Sequence, residues 1–208
     1  MKTLNIIRYF LALCLVLMLS MPLQAQQMTK LAGKQASTLI AQIDKAARSI
    51  KSLQCDFTQV SDVAYLDEKA TSTGKMSYRS NGSLTWQYLS PFKYTFSVAD
   101  GKAVMQSGKR TNTIDLKGNA QFQNIAKMVQ GSVTGANLRN NQDFQVVMYA
   151  NASQAMAYLV PKRAPIRNFL KSVKLYFSKS QKMVQKVEMT QANGDHITIT
   201  FAHVKVVR

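Results

Sequence analysis

Apolar residues change their spacing once along this chain, and that change divides it. Leu39, Ile40, Ile43, Ala46, Ala47, Ile50 and Leu53 recur at three- and four-residue steps and form one apolar stripe. This spacing predicts an amphipathic helix that opens at Ser37 as N-cap and must lie on another apolar surface. From Gly74 onward the period is two. Met76 and Tyr78 share a face, then Leu84, Trp86 and Tyr88, then Tyr94, Phe96 and Val98. The pairs Asn81-Gly82, Asp100-Gly101 and Asn193-Gly194 sit where hairpin turns are needed. Further strands are expected at 103–106, 111–116, 144–149, 155–160, 173–177, 183–189 and 197–204. Between them, Phe122, Ile125, Ala126 and Val129 fit a short helix, and residues 26–34 read as a loose N-terminal segment.

These elements add up to a mainly β (α+β) domain: a meander of about 10–11 antiparallel strands with a long N-terminal helix and a short central one. Strands twist, so a long meander coils, and its apolar concave face must be covered. The two amphipathic helices are available as the cover. Met76, Met105, Met128 and Met148 accompany the aromatics, and methionine suits an adaptable apolar pocket. The same alternation fits an ordinary packed core equally well, because it reports only a buried face.

The first residues read differently. Lys2 and Arg8 precede an apolar run from Tyr9 to Leu19, and a short polar exit ends at Ala25. This is the layout of a secretory signal peptide spanning 1–25, which leaves one domain at 26–208. Cys14 lies inside the apolar run behind Leu13, a poor setting for lipidation. Cleavage leaves Cys55 as the only thiol, so no internal disulfide is expected. Formal net charge is +17, and removing Lys2 and Arg8 leaves +15. Such a field favours anionic partners. Export and the even spread of the basic residues argue against nucleic acid, leaving a basic solvated surface or a docking field.

Sequence chemistry gives little sign of catalysis. His196 and His203 both fall on the last expected strand, an odd number of positions apart, so regular alternation puts them on opposite faces. Cys55 lies at a helix-to-strand junction without a supporting motif. No G-x-S-x-G elbow, P-loop or H-E-x-x-H is present, and the ten carboxylates form no metal-binding pattern. No catalytic residue, metal or cofactor is assigned.

The order of several short runs resembles the LolA family of periplasmic outer-membrane lipoprotein carriers. They are Leu53-Gln54-Cys55-Asp56-Phe57-Thr58-Gln59, Gly74-Lys75-Met76-Ser77-Tyr78-Arg79, Leu84-Thr85-Trp86-Gln87-Tyr88 with Pro91, Asp100-Gly101-Lys102, Val160-Pro161-Lys162, and Asn193-Gly194-Asp195 with Ile197 to Phe201. The likeness spans residues 39 to 204. It implies an incomplete antiparallel barrel under a helical lid, and a monomeric carrier without a cofactor. Acyl chains of lipoproteins released by an inner-membrane ABC-type transporter enter its apolar cavity and pass to an outer-membrane acceptor, with transient contact at the membrane surface. Carried over, the cavity is lined by Leu53, Phe57, Met76, Tyr78, Leu84, Trp86, Tyr88 and Phe96, with Phe122, Ile125 and Val129 in the lid. The family's lid-holding Arg-Pro falls at Ser80-Asn81 here. The nearest arginine, Arg79, is one residue early and faces the other side unless a bulge intervenes. Two other classes are compatible with the residues: an envelope interaction or structural module (or a carrier of another lipid), and an exported hydrolase with clustered polar residues in a cleft.

Overall fold

The computed structural model describes residues 27–64, 68–117, 131, 134–135, 138–139, 141–180 and 182–208. The expected signal peptide and the expected lid residues Phe122, Ile125, Met128 and Val129 lie outside them.

Twelve strands form one antiparallel sheet in the order β1-β8-β9-β10-β11-β12-β2-β3-β4-β5-β6-β7. They are β1 (Thr29–Lys30), β2 (Ser52–Asp62), β3 (Ala70–Arg79), β4 (Leu84–Ser90), β5 (Tyr94–Ala99), β6 (Lys102–Ser107), β7 (Arg110–Asp115), β8 (Phe144–Ala150), β9 (Gln154–Pro161), β10 (Leu170–Ser178), β11 (Val184–Gln191) and β12 (His196–Val207). Two helices are described, α1 (Gly33–Arg48) and the single turn α2 (Ala164–Arg167). The end strands β1 and β7 do not pair, so the barrel stays unclosed. β7 is polar and largely exposed, which suits an edge that must not recruit another strand.

The hairpins follow the turn chemistry. At Asp100-Gly101 both residues have positive φ, 50° and 73°, as a type I′ turn requires. At Asn81-Gly82 the glycine adopts φ 87°, and the Asn81 side-chain oxygen accepts the Ser83 N–H at 3.0 Å. Asp195, beside Gly194, is buried and accepts the Ala64 N–H at 2.9 Å, tying the β11–β12 turn to the β2–β3 connection.

Two local expectations are corrected. The helix starts at Gly33, four residues before Ser37, with Ala32 extended and no side-chain cap; Ser37 instead donates to the Lys34 carbonyl. It also ends at Arg48, so Ile50 lies in the following turn and Leu53 is the first inward residue of β2. Leu53 satisfies both periods, three residues after Ile50 and two before Cys55. Pairing with β3 and β12 on either side decides for strand. The segment expected to be loose carries β1, which pairs with β8 and accounts for the twelfth strand.

Inward residues from the whole sheet form one core with α1. Ile43 of α1, Phe57, Leu84, Met148, Phe177 and Val187 are the largest fully buried side chains. Each such residue contributes roughly 1.5–3 kcal/mol by leaving water.

Candidate functional site

Strand register places the predicted cavity residues in three rungs across the concave face. The first runs Phe201, Phe57, Gly74, Tyr88, Tyr94. The second runs Cys55, Met76, Trp86, Phe96, Met105, and the third Val206, Leu53, Tyr78, Leu84, Val98, Ala103. Leu53, Phe57, Met76, Leu84 and Trp86 are buried, while Tyr78, Tyr88 and Phe96 are part-buried against them. Register thus brings together all eight described residues expected to line the cavity: alternation had grouped Met76 with Tyr78, Leu84 with Trp86 and Tyr88, and placed Phe96, whereas Phe57 rested on the resemblance and Leu53 had been read on the helical stripe.

The middle of this face is aromatic. Phe57 lies 4.5 Å from Trp86 and meets Tyr88 edge-on at 5.1 Å. Trp86 also meets Phe201 edge-on at 6.0 Å, although their strands are three steps apart in the sheet. In a flat sheet three steps span about 14 Å, so curvature and long side chains close the gap. A bulge at Thr73/Gly74 and another between Ala202 and Lys205 add to the bending.

Gly74 makes the cluster possible. A Cβ there would lie 2.0 Å from the Gln87 carbonyl oxygen and 2.5 Å from Phe57 Cζ. The vacant space lets the Phe57 and Tyr88 rings meet over the backbone. Gly74, Phe201, Tyr94 and Gln59 belong to this site but were not among the residues assigned to it from sequence. A glycine inside an alternating strand was the available signal for close approach.

Polar groups gather at one end of the apolar face. The Tyr88 hydroxyl donates to Gln59 Oε1 at 2.8 Å, and Gln59 Nε2 donates to Ser61 Oγ at 3.1 Å. Burial raises the Tyr88 phenol above its ordinary value, partly offset by the neighbouring Trp86 indole. That offset comes from the Trp86 N–H, which is buried beside the Tyr88 oxygen.

Cys55 lies within β2, not at a junction, and its side chain is buried on this inner face. Burial, with a smaller push from the Asp56 charge, moves its pKa from 9.0 up to about 12. The thiol is therefore a poor nucleophile. A folded protein with a thiol of raised pKa loses stability as pH climbs from about 9 towards 12, where only the unfolded chain ionises readily. At pH 8, an alkylating reagent is expected to label Cys55 only on addition of denaturant, as read by mass; rapid labelling of folded protein would contradict this placement.

The outer face is chemically distinct. A groove of about 370 Å³ crosses β12, β2, β3 and β4, with Asp56, Lys75, Ser77, Gln87, His203 and Lys205 in its lining. Lys75 and His203 each contact Asp56 at 2.8 Å, and these hydrogen bonds hold its carboxyl below the usual range. The expectation that the two histidines face opposite sides is corrected here. The bulge in β12, with His203 at φ 51°, shifts the inward positions from Ile197, Ile199 and Phe201 to Val204 and Val206. His196 and His203 are both exposed; His196 contacts Thr190, not His203. Among the described residues, no hydroxyl is hydrogen-bonded to the second nitrogen of His203. Arg79 is exposed at the end of β3, with the parity of Lys75 and Ser77, opposite Met76 and Tyr78. No bulge lies between Gly74 and Arg79 to turn it inward. Among the described residues no cluster of candidate metal ligands occurs.

Comparison with known proteins bears on this geometry. The family model described as outer membrane lipoprotein carrier protein LolA matches residues 48–208. No curated protein matches in sequence. Similar solved structures include a LolA superfamily protein from Nitrosomonas europaea, at 10% identity over 81% of this chain and 94% of that one, TM-score 0.40. A putative outer membrane lipoprotein-sorting protein domain from Vibrio parahaemolyticus is 8% identical over 80% and 90%, TM-score 0.40. The lipoprotein LppX of Mycobacterium tuberculosis is 9% identical over 82% and 95%, TM-score 0.43.

Proposed function

We propose a carrier role for this chain, which belongs to the LolA family of outer membrane lipoprotein carrier proteins. In this reading it is a periplasmic monomer that takes lipoprotein acyl chains onto its concave face, shuttles them from the inner to the outer membrane and is not an enzyme. The transporter that loads it and the acceptor that unloads it are membrane proteins of the two membranes. One observation carries the reading: an aromatic and aliphatic face drawn from β2, β3, β4, β5 and β12 of an unclosed sheet.

The energetics suit reversible carriage. Each buried CH₂ of an acyl chain contributes about 0.8 kcal/mol. In the free protein Trp86, Phe57 and Leu84 already pack against one another. Loading therefore exchanges one set of apolar contacts for another, and the small difference permits handover without an energy source. Phe122, Ile125 and Val129 act as the lid in this scheme. Phe92, 81% exposed in the β4–β5 turn beside Lys93, is suited to brief contact with an anionic bilayer.

A second reading, an envelope docking module, draws on the +17 charge and the polar outer groove. Native mass spectrometry of protein purified from the periplasm of a lipoprotein-producing host separates the two. A co-purifying acylated protein or lipid, lost in Trp86→Asp, is the expected result. A folded parent that is ligand-free and takes up no added lipopeptide would replace the carrier by the docking module.

A further inference from the structure

Strand register gathers several connections at one end of the sheet. Leu170 pairs with Gln191, His196 with Asp62, Ser61 with Ala70, Thr73 with Ser90, Tyr88 with Tyr94 and Ser107 with Arg110. The β9–β10, β11–β12, β2–β3, β4–β5 and β6–β7 connections therefore share one rim. Among the described residues four large apolar side chains are exposed, and three of them, Leu89, Phe92 and Phe169, are at this rim. The fourth, Val207, is at the opposite end, where it pairs with Ser52. Apolar residues scattered singly are ordinary on a surface; three drawn to one rim, two of them aromatic, call for a reason. The β9–β10 connection stands out. Residues 161–171 hold Lys162, Arg163, Arg167 and Lys171 and no acid, and all four cations are exposed. The backbone here is held by hydrogen bonds: the Phe169 N–H donates to the Ile166 carbonyl at 3.2 Å, and the Phe169 carbonyl accepts the Ala192 N–H at 3.1 Å. Ile166 packs on the core and Leu170 is buried, so Phe169 is the residue turned outward, 42% exposed.

We infer that this rim, led by the β9–β10 connection, docks the protein on the anionic phospholipids of a bilayer surface. The inference deepens the carrier reading and rests on it for the purpose of the contact, which there was drawn from Phe92 alone. Aromatic rings settle at the headgroup level, and a Lys or Arg near an anionic surface strengthens attachment about fivefold. Long basic side chains also reach past an embedded ring to the phosphates. The rim adds Lys93 beside Phe92 and Lys109 between β6 and β7, both exposed. Its described carboxylates offer little opposition. Asp143 pairs with Arg163 and Asp62 with Lys69, each at 3.0 Å, and Asp195 is buried, which leaves Glu68. Cations alone do not select this end, because Lys51, Arg79 and Lys179 make the opposite end basic too. The exposed aromatics select it. Exposed charges are screened beyond about 8 Å at physiological salt, so the attachment is shallow and reversible.

The test is flotation of the ligand-free mature protein with vesicles of phosphatidylcholine alone and of an equimolar mixture with phosphatidylglycerol. The parent is expected to float with the mixed vesicles and to bind the neutral ones at least about tenfold more weakly. Arg167→Gln with Lys171→Gln should weaken binding to the mixed vesicles about twentyfold, and Phe169→Ser about five- to tenfold. Lys51→Gln with Arg79→Gln removes the same charge from the opposite end and should change binding by less than about twofold. An equal loss in both double variants would mean that the whole molecule's charge acts and not this rim, and would overturn the inference. So would equal binding to the two kinds of vesicle, or binding to neither. An acidic polypeptide such as polyglutamate that binds where mixed vesicles do not would put a protein in place of the bilayer. Should Phe169→Ser fail to fold, Phe169→Trp decides: its added emission should move to the blue with mixed vesicles, and an unmoved signal on vesicle-bound protein rejects the assignment. Lipopeptide uptake is measured without vesicles, so the carrier reading and this inference fail separately.

Discussion

Gly74→Ala should destabilise the protein by about 2–3 kcal/mol, a large effect for one added methyl group. Overpacking is usually relieved by rotating a side chain, and Phe57 could give way in that manner. The Gln87 carbonyl oxygen, 2.0 Å from the new Cβ, cannot, because it belongs to the backbone of the paired strand β4. Either β3 and β4 separate locally or the ring cluster opens, and both lose contacts that the Phe57–Tyr88 edge-on pair depends on. Urea unfolding is the measurement. An unfolding free energy within a few tenths of a kcal/mol of the parent's would mean that the strands absorb the methyl and that Gly74 has no packing role. An alanine at Gly194, whose neighbourhood is empty, separates the effects. Its penalty comes from a positive φ of 96° alone and should be smaller.

Phe57→Ala should cost more, about 3–5 kcal/mol, by lost transfer energy and the cavity left behind. The ring is fully buried and joins Trp86, Tyr88 and Gly74 across three strands. In a domain of this size that loss lowers Tm by roughly 10 °C or more. The carrier reading adds a second expectation that a purely structural core does not share. A dry void beside Trp86 is space that an acyl chain can fill, so added diacylated lipopeptide should raise the Tm of Phe57→Ala by more than it raises that of the parent. Equal shifts, or none, would place Phe57 in an inert core and weaken the case for the concave face as the binding surface.

Much of this site was legible because β structure repeats every two residues. Leu84, Trp86 and Tyr88 had to share a face whichever strands flanked them, and the same holds for Met76 with Tyr78. Turn chemistry was equally local: Asp100-Gly101 and Asn81-Gly82 accept positive φ, and the hairpins form there. Other features depended on partners far along the chain. Leu53 obeys both the helical and the strand period, and only pairing with Tyr78 and Val206 assigns it to β2. The β12 bulge moved His203 out of strict alternation, because a bulge answers to the mismatch between two paired strands and leaves no signature in one of them.

The sequence by itself determined the faces of β3, β4 and β5, the turn positions and the family motifs, since each depends on residues within a few positions of one another. The tertiary structure alone decided that Phe201 reaches Trp86 over the curved sheet and that Phe57 and Tyr88 meet above Gly74. The physical reason is that curvature and close packing are properties of the assembled sheet. They bring together side chains as far apart along the chain as Trp86 and Phe201, and no local period records which of them will meet.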